Sequence, residues 1–236
     1  MAQQNYTKFV PYLAEIRRRL LLIFSIFIIA SGLGFFYYEK IIGWILKIFE
    51  LEGVNIVFTS PFQFFSLALT IAICAGLVIV LPLILYQVFS FLKPALSSKE
   101  FKTLLSLLPL NILLFIAGFG FGVAVMRYVV VLFYQKSVEL NIGNILDISL
   151  LLSQILITSV LMGIAFQYPV ILTILMRLKI LDYKSLQRKR WLVYGISLIF
   201  SALLPPTDIL SLAFLFLPLA LLFELTLILN RWLFRV

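Results

Sequence analysis

Glu100 is a lone carboxylate between Lys99 and Lys102, in a short polar segment that opens at Lys93-Pro94 after an uncharged run from Phe62 to Leu92. The chain turns apolar again beyond it. A carboxylate placed between two apolar spans lies at a membrane face, where an incoming cationic peptide can meet it. Glu15, ahead of the first apolar run and beside Arg17, Arg18 and Arg19, is a second acid of this kind. Either suits an arginine ligand, because an Arg–carboxylate fork makes two charge-assisted hydrogen bonds. A plainer reading stands beside this one. Glu15 pairs with Arg18 or Arg19 at helical spacing, and Glu100 pairs with Lys99 or Lys102. Exposed pairs of this sort are common and weak.

The other polar groups of interest sit inside apolar runs. Gln154, Gln167 and Glu224 fall within spans, and Glu224 is the only acid in mid-span. A buried carboxylate there is costly, so it is expected to be protonated or hydrogen-bonded. For Gln167 the plain expectation is an interhelical hydrogen bond. Asp208 follows Pro205, Pro206 and Thr207, and its plain role is to cap the next helix at its positive end. Phe91, at a helix end, reads by itself as an interface anchor. There is no histidine, and Cys74 is the only cysteine. Histidine acid–base chemistry, an intrachain disulfide and a zinc or iron–sulfur site are thereby set aside. No nucleophile–base pair and no Gly-rich phosphate loop appears. The expectation is therefore no enzyme, no metal and no cofactor.

These residues need a membrane-embedded frame to position them. Hydrophobic residues make up 63% of the 236 and charged residues 12%, with a mean hydropathy of +1.14. Soluble domains are nearer half apolar and a quarter charged. The net charge of +9 could suggest nucleic acid, but the basic residues fall between apolar runs, which favours membrane topology. The expectation is one all-α polytopic domain over residues 1–236 with six transmembrane helices. The first apolar run, Leu20 to Tyr38, is about 28 Å of helix, near one bilayer core. It is longer than a signal-peptide core and has no cleavage site. Residues 39 to 59 suggest an amphipathic helix on the membrane surface. The second span opens at Ser60-Pro61 and runs towards Leu92, long enough to tilt, to kink at Pro82 or to start outside the core. The third runs from Phe101 to Tyr134, with Gly118, Gly120 and Gly122 spaced for close helix contact. The fourth runs from Ile148 to Met176. The fifth, Trp191 to Leu204, is only ~21 Å long, which points to local bilayer thinning. The sixth runs from Ile209 to Asn230. Of the 19 basic residues, 15 lie on the side of the N-terminus, which places both termini in the cytoplasm or the equivalent stroma or matrix. Arg17–Arg19 fits the same rule as an ordinary anchor before a first span.

Read together, several fragments resemble the TatC family, the multispanning core of the twin-arginine protein translocase. They are Leu13-Ala14-Glu15-Ile16-Arg17-Arg18-Arg19-Leu20, Thr59-Ser60-Pro61, Pro82-Leu83-Ile84-Leu85-Tyr86-Gln87 with Phe91 and Pro94-Ala95-Leu96 to Glu100, Phe166-Gln167-Tyr168-Pro169, Arg188-Lys189-Arg190 and Pro205-Pro206-Thr207-Asp208. Each is weak alone, but their order covers essentially the whole chain. The resemblance implies a glove-like concave bundle in a bacterial cytoplasmic, thylakoid or mitochondrial inner membrane. It implies recognition of twin-arginine signal peptides on folded cargo, with Glu15, Arg17, Phe91 and Glu100 at that site. It implies assembly with single-span TatA- and TatB-type subunits and other copies of the chain, and transport driven by the proton-motive force. It places Gln167 in a groove facing a partner, and Pro205, Pro206 and Asp208 in a sensitive outer loop. The chain departs from the family pattern at Tyr12, where histidine is usual, at Gln63, often an acid, and at Phe101, usually basic. It also has Gln167 in place of an intramembrane glutamate. Glutamine keeps the size and hydrogen-bonding capacity but carries no charge and no titrating proton. The alternative function is a small-solute secondary transporter, for which only Glu224 and the prolines speak.

Overall fold

The architecture comes from a computed structural model that describes residues 2–49, 55–57, 60–95, 98–140 and 145–233. It is an all-helical bundle with one small strand pair. Helix α1 (Ala2–Phe36) is followed at once by α2 (Tyr38–Phe49) and strand β1 (Asn55–Val57). Helix α3 (Pro61–Leu92) ends in a 3-10 turn over Lys93–Ala95. Then come α4 (Ser98–Ser106), α5 (Leu108–Glu139), β2 (Ile145–Asp147), α6 (Ile148–Ala165), α7 (Tyr168–Arg177), α8 (Tyr183–Arg188), α9 (Arg190–Leu203) and α10 (Ile209–Leu233). Five stretches are long and apolar enough to cross a membrane: Leu13–Phe36, Pro61–Leu92, Leu108–Glu139, Ile148–Arg177 and Ile209–Trp232. The apolar helix Arg190–Leu203 is shorter.

Several boundaries differ from the sequence expectation, and each difference has a local cause. Helix α1 begins at Ala2, well ahead of the first apolar run at Leu20, so Glu15 and Arg17–Arg19 belong to the same helix as the first span. The third expected span, Phe101 to Tyr134, is split at Leu107 and extends to Glu139. The fourth, Ile148 to Met176, is split at Phe166 and Gln167. Pro109 and Pro169 lie in the first turns of the helices that follow. A proline lacks the N–H that would continue the previous helix, and its ring clashes with the carbonyl four residues back, so each stretch restarts there. Pro82, by contrast, is carried inside a continuous α3. Helix α2 is amphipathic as expected, but it does not simply rest on a surface. Ile45 is buried, and Ile41, Ile42, Leu46 and Ile48 pack on the core formed by Leu67, Ile71, Met126, Leu152 and Ile155. Residues 50–54, 58 and 59 of the expected surface helix lie outside the described residues.

Helices α5 and α6 cross with their backbones in close approach. A Cβ added to Gly122 would sit 2.6 Å from the Ser159 Cα, and one on Gly118 would sit 2.6 Å from the Met162 carbonyl oxygen. Lipid supplies no hydrophobic drive between helices, so such close backbone approach is how they hold together. Gly120 points away from this face, with nothing within 4 Å of an added Cβ.

The two strands pair in parallel, Asn55 with Ile145, Ile56 with Leu146 and Val57 with Asp147. Side chains extend this tie. Gln63 donates its amide to Asp147 Oδ2 at 2.6 Å, and Ser149 donates its hydroxyl to the Gln63 carbonyl at 3.0 Å. Asp147 also caps α6 by accepting from the Leu150 N–H at 3.1 Å. The carbonyl oxygen of the Gln63 side chain accepts from the Ser60 N–H at 3.2 Å, which closes the start of α3. The Gln63 side chain thus both donates and accepts, as a carboxylate could not. All-helix patterning gave no hint of this pairing, because three-residue strands carry too little alternation to register.

Candidate signal-peptide face and polar groups in the bundle

Glu15 and Arg19 are one turn apart on α1, so their side chains meet. The Arg19 guanidinium donates to Glu15 Oε1 at 2.6 Å through one terminal nitrogen and at 3.0 Å through Nε. Its other terminal nitrogen donates to the Gln87 side-chain oxygen at 2.6 Å and to the Gln87 carbonyl at 3.1 Å. One planar fork therefore ties the head of α1 to the last turns of α3. The Arg19 side chain is 21% exposed and that of Glu15 is 46% exposed, so the carboxylate remains open to solvent. The ion pair expected at helical spacing is present, with Arg19 as partner. Gln87, far away in sequence, was visible only as one letter of a motif, since nothing in a sequence links positions on different helices.

Phe91 is one turn beyond Gln87 and so shares its face of α3; it is half-buried. The chain then turns through Lys93–Ala95, where the Lys93 ammonium lies 5.4 Å from the Phe101 ring centroid. This is a cation–π contact between the start of the turn and α4. Glu100 is the third residue of α4, and its side chain lies outside the described residues. Arg17 is exposed. With Leu13, Ile16, Leu20 and Phe24 of α1 and Ile84 of α3, it lines an apolar groove of roughly 610 Å³.

Gln167 stands at the break between α6 and α7 and is 2% exposed. Its amide donates to the Asn111 carbonyl of α5 at 3.1 Å and to the Gly163 carbonyl at 3.3 Å. Its own oxygen and that of the fully buried Asn111 side chain have no partner. This is the interhelical hydrogen bond expected on plain grounds. Gln154 is half-buried and makes no side-chain hydrogen bond among the described residues.

Glu224 accepts from the Tyr194 hydroxyl at 2.5 Å and pairs with Arg190 at 3.3 Å. Arg190 is the first residue of α9, so the short helix presents its leading cation to an acid well inside α10. Asp208 caps α10, accepting from the Ser211 N–H at 2.8 Å and the Ser211 hydroxyl at 2.5 Å. The Pro205 carbonyl accepts from the buried Thr158 hydroxyl of α6, and the Pro205–Pro206 bond is cis. No group of three or more metal-ligating side chains occurs among the described residues.

Comparison with known proteins agrees with this geometry. Residues 11–218 match the family model described as Sec-independent protein translocase protein (TatC). The chain is 32% identical over 235 residues to the translocase protein TatCy of Bacillus subtilis, covering 98% of this chain and 91% of that one. It is 30% identical over 230 residues to the TatC protein of Aquifex aeolicus, covering 93% of each. A crystal structure of the twin-arginine translocase receptor TatC in DDM superposes with a TM-score of 0.81 at 29% identity, covering 92% of this chain and 98% of that one. A family match across most of the chain, with the same fold, makes this an integral, multi-pass membrane protein and a component of Sec-independent protein transport: it belongs to the TatC family.

Proposed function

We propose that the chain is the receptor and scaffold subunit of a twin-arginine translocase. It binds twin-arginine signal peptides of folded proteins at the end of the bundle where α1 begins. It assembles with TatA- and TatB-type single-span subunits and further copies of itself, for transport driven by the proton-motive force across a bacterial cytoplasmic membrane or its organellar equivalent. The observation that carries this reading is the Glu15 carboxylate. It is half-exposed, oriented by Arg19, and fixed through Gln87 one turn from Phe91. A peptide guanidinium meets an acid already held in place, beside an aromatic surface for its apolar residues. Arg17 and Glu100 complete the proposed site from α1 and α4. Gln167 lies in the groove that faces a partner, and Pro205, Pro206 and Asp208 form the functionally sensitive outer loop, which the Thr158 bond to Pro205 and the Asp208 cap hold to the bundle. Glu224 holds α9 to α10 through Tyr194 and Arg190, and Gln154 is kept as an intramembrane polar group of the span.

The solute-transporter alternative needs a charged or unwound site at mid-membrane. Glu224 is committed to Arg190 and Tyr194, which favours the receptor reading. The test is site-specific photocrosslinking from positions 15 and 100, in membranes, to a twin-arginine signal peptide and to the same peptide with both arginines changed to lysine. Crosslinks from both positions that fall with the lysine peptide are expected. A correctly inserted protein that crosslinks from neither position would return both glutamates to structural pairing and end the receptor assignment for this face.

A further inference from the structure

A second charged feature lies apart from the proposed peptide face. Helix α8 is short, and its Leu186 is buried against Met176, Phe223 and Leu227, so it is pinned onto α7 and α10. Around it lies a cavity of roughly 720 Å³ lined by Lys184, Arg188, Lys189 and Arg231, with Asp182 as the one acid and Ser185 as a neutral hydroxyl. The four cations are exposed and make no ion pair among the described residues. Arg190, next in sequence, is already taken by Glu224. Three of the four come from the α8 segment and the fourth from the far end of α10. Exposed Trp191 and Trp232, at 72% and 80%, directly follow Lys189-Arg190 and Arg231. Tryptophans of this kind sit at headgroup level in a bilayer. Below them, Ile196, Ile199 and Leu203 of α9 and Leu217, Leu221 and Ile228 of α10 are exposed apolar side chains.

We propose that this pocket binds the phosphate of an anionic phospholipid, with its acyl chains lying along α9 and α10. The two arginines supply planar forks that match phosphate oxygens, and the two lysines add charge. A single acid against four cations gives a zwitterionic headgroup's ammonium little to pair with. The short α9 makes the fit possible. Its first residue meets Glu224, and Arg231 lies roughly 10 Å further along α10, so the basic residues flank a step in the bundle rather than a flat rim. Basic pockets between span ends are suited to anionic headgroups, whereas scattered basic residues only set orientation.

The test uses the full chain purified in detergent, titrated with phosphatidylglycerol, with phosphatidylcholine and with inorganic phosphate, and read by native mass spectrometry and Trp fluorescence. Saturable binding of phosphatidylglycerol is expected, at least tenfold tighter than of phosphatidylcholine. R188Q/R231Q should weaken it by about tenfold or more, while K93Q/K102Q, which removes the same charge from another segment, should leave it unchanged. R188K/R231K keeps the charge but loses the forks, and should fall between; it also serves should the glutamine pair fail to fold. Equal loss in R188Q/R231Q and K93Q/K102Q, or no loss in any arginine variant, would overturn the site in favour of a diffuse surface field. Binding of inorganic phosphate as tight as that of phosphatidylglycerol would overturn the lipid assignment.

Discussion

At the scale of single residues, Arg19 matters more than its neighbours in the basic run. Its fork uses all three nitrogens, two towards Glu15 and one towards Gln87. Lysine carries the same charge on a flexible stem but has no planar fork, so it cannot hold both partners in one geometry. Arg19→Lys should therefore cost about 1 kcal/mol of stability, seen as a lower thermal unfolding midpoint in detergent. It should also weaken signal-peptide crosslinking from position 15. Unchanged crosslinking with a lowered midpoint would make Arg19 a fold clamp with no positioning role. The Glu15–Arg19 pair was legible in the sequence because helical spacing alone brings the two together. Its anchor at Gln87 was not, because it depends on how α1 and α3 pack. Gln167 shows the same limit. Its place as a polar group inside an apolar run is plain in the sequence, but its bond to the Asn111 carbonyl depends on the break at Pro169.

At the scale of elements, apolar run length located every membrane-capable helix, and the prolines then decided where each one restarts. Pro82 passes through α3, whereas Pro109 and Pro169 end the preceding segment. The sequence holds all three alike, and only the packing around each separates a tolerated proline from a break. The glycines divide similarly. Gly118, Gly120 and Gly122 look equivalent by spacing, yet only the first and last face α6. Gly122→Ala should push α5 and α6 apart and cost about 1–3 kcal/mol, whereas Gly120→Ala should gain up to about 1 kcal/mol from helix propensity. Thermal midpoints of the two variants, compared under identical detergent conditions, check this. Equal effects would mean that the α5–α6 crossing is looser than the glycine contacts indicate.

At the scale of the whole molecule, the bundle is uneven in height. Arg190–Leu203 spans about 21 Å, against the ~30 Å of a bilayer core, while its neighbour α10 is long enough to cross. The membrane beside α9 should be locally thinned. Environment-sensitive labels at Leu203 and Ile199, both exposed, should report water closer to the bilayer centre than labels on the exposed face of α1; equally dry labels would remove the thinning. The family fold was legible from the order of weak fragments along the chain. The strand pair was not, and it bears on how the protein is made. β1 precedes α3, but its partner β2 follows α5. Parallel pairing closes a chain loop of roughly ninety residues, whose ordering cost rises only slowly with length. During synthesis, β1 waits with its hydrogen-bonding edge open until both intervening long helices are in place. The latch between β1 and β2 then becomes a checkpoint of biogenesis: it can shut only on a chain whose middle has already been threaded in the right order.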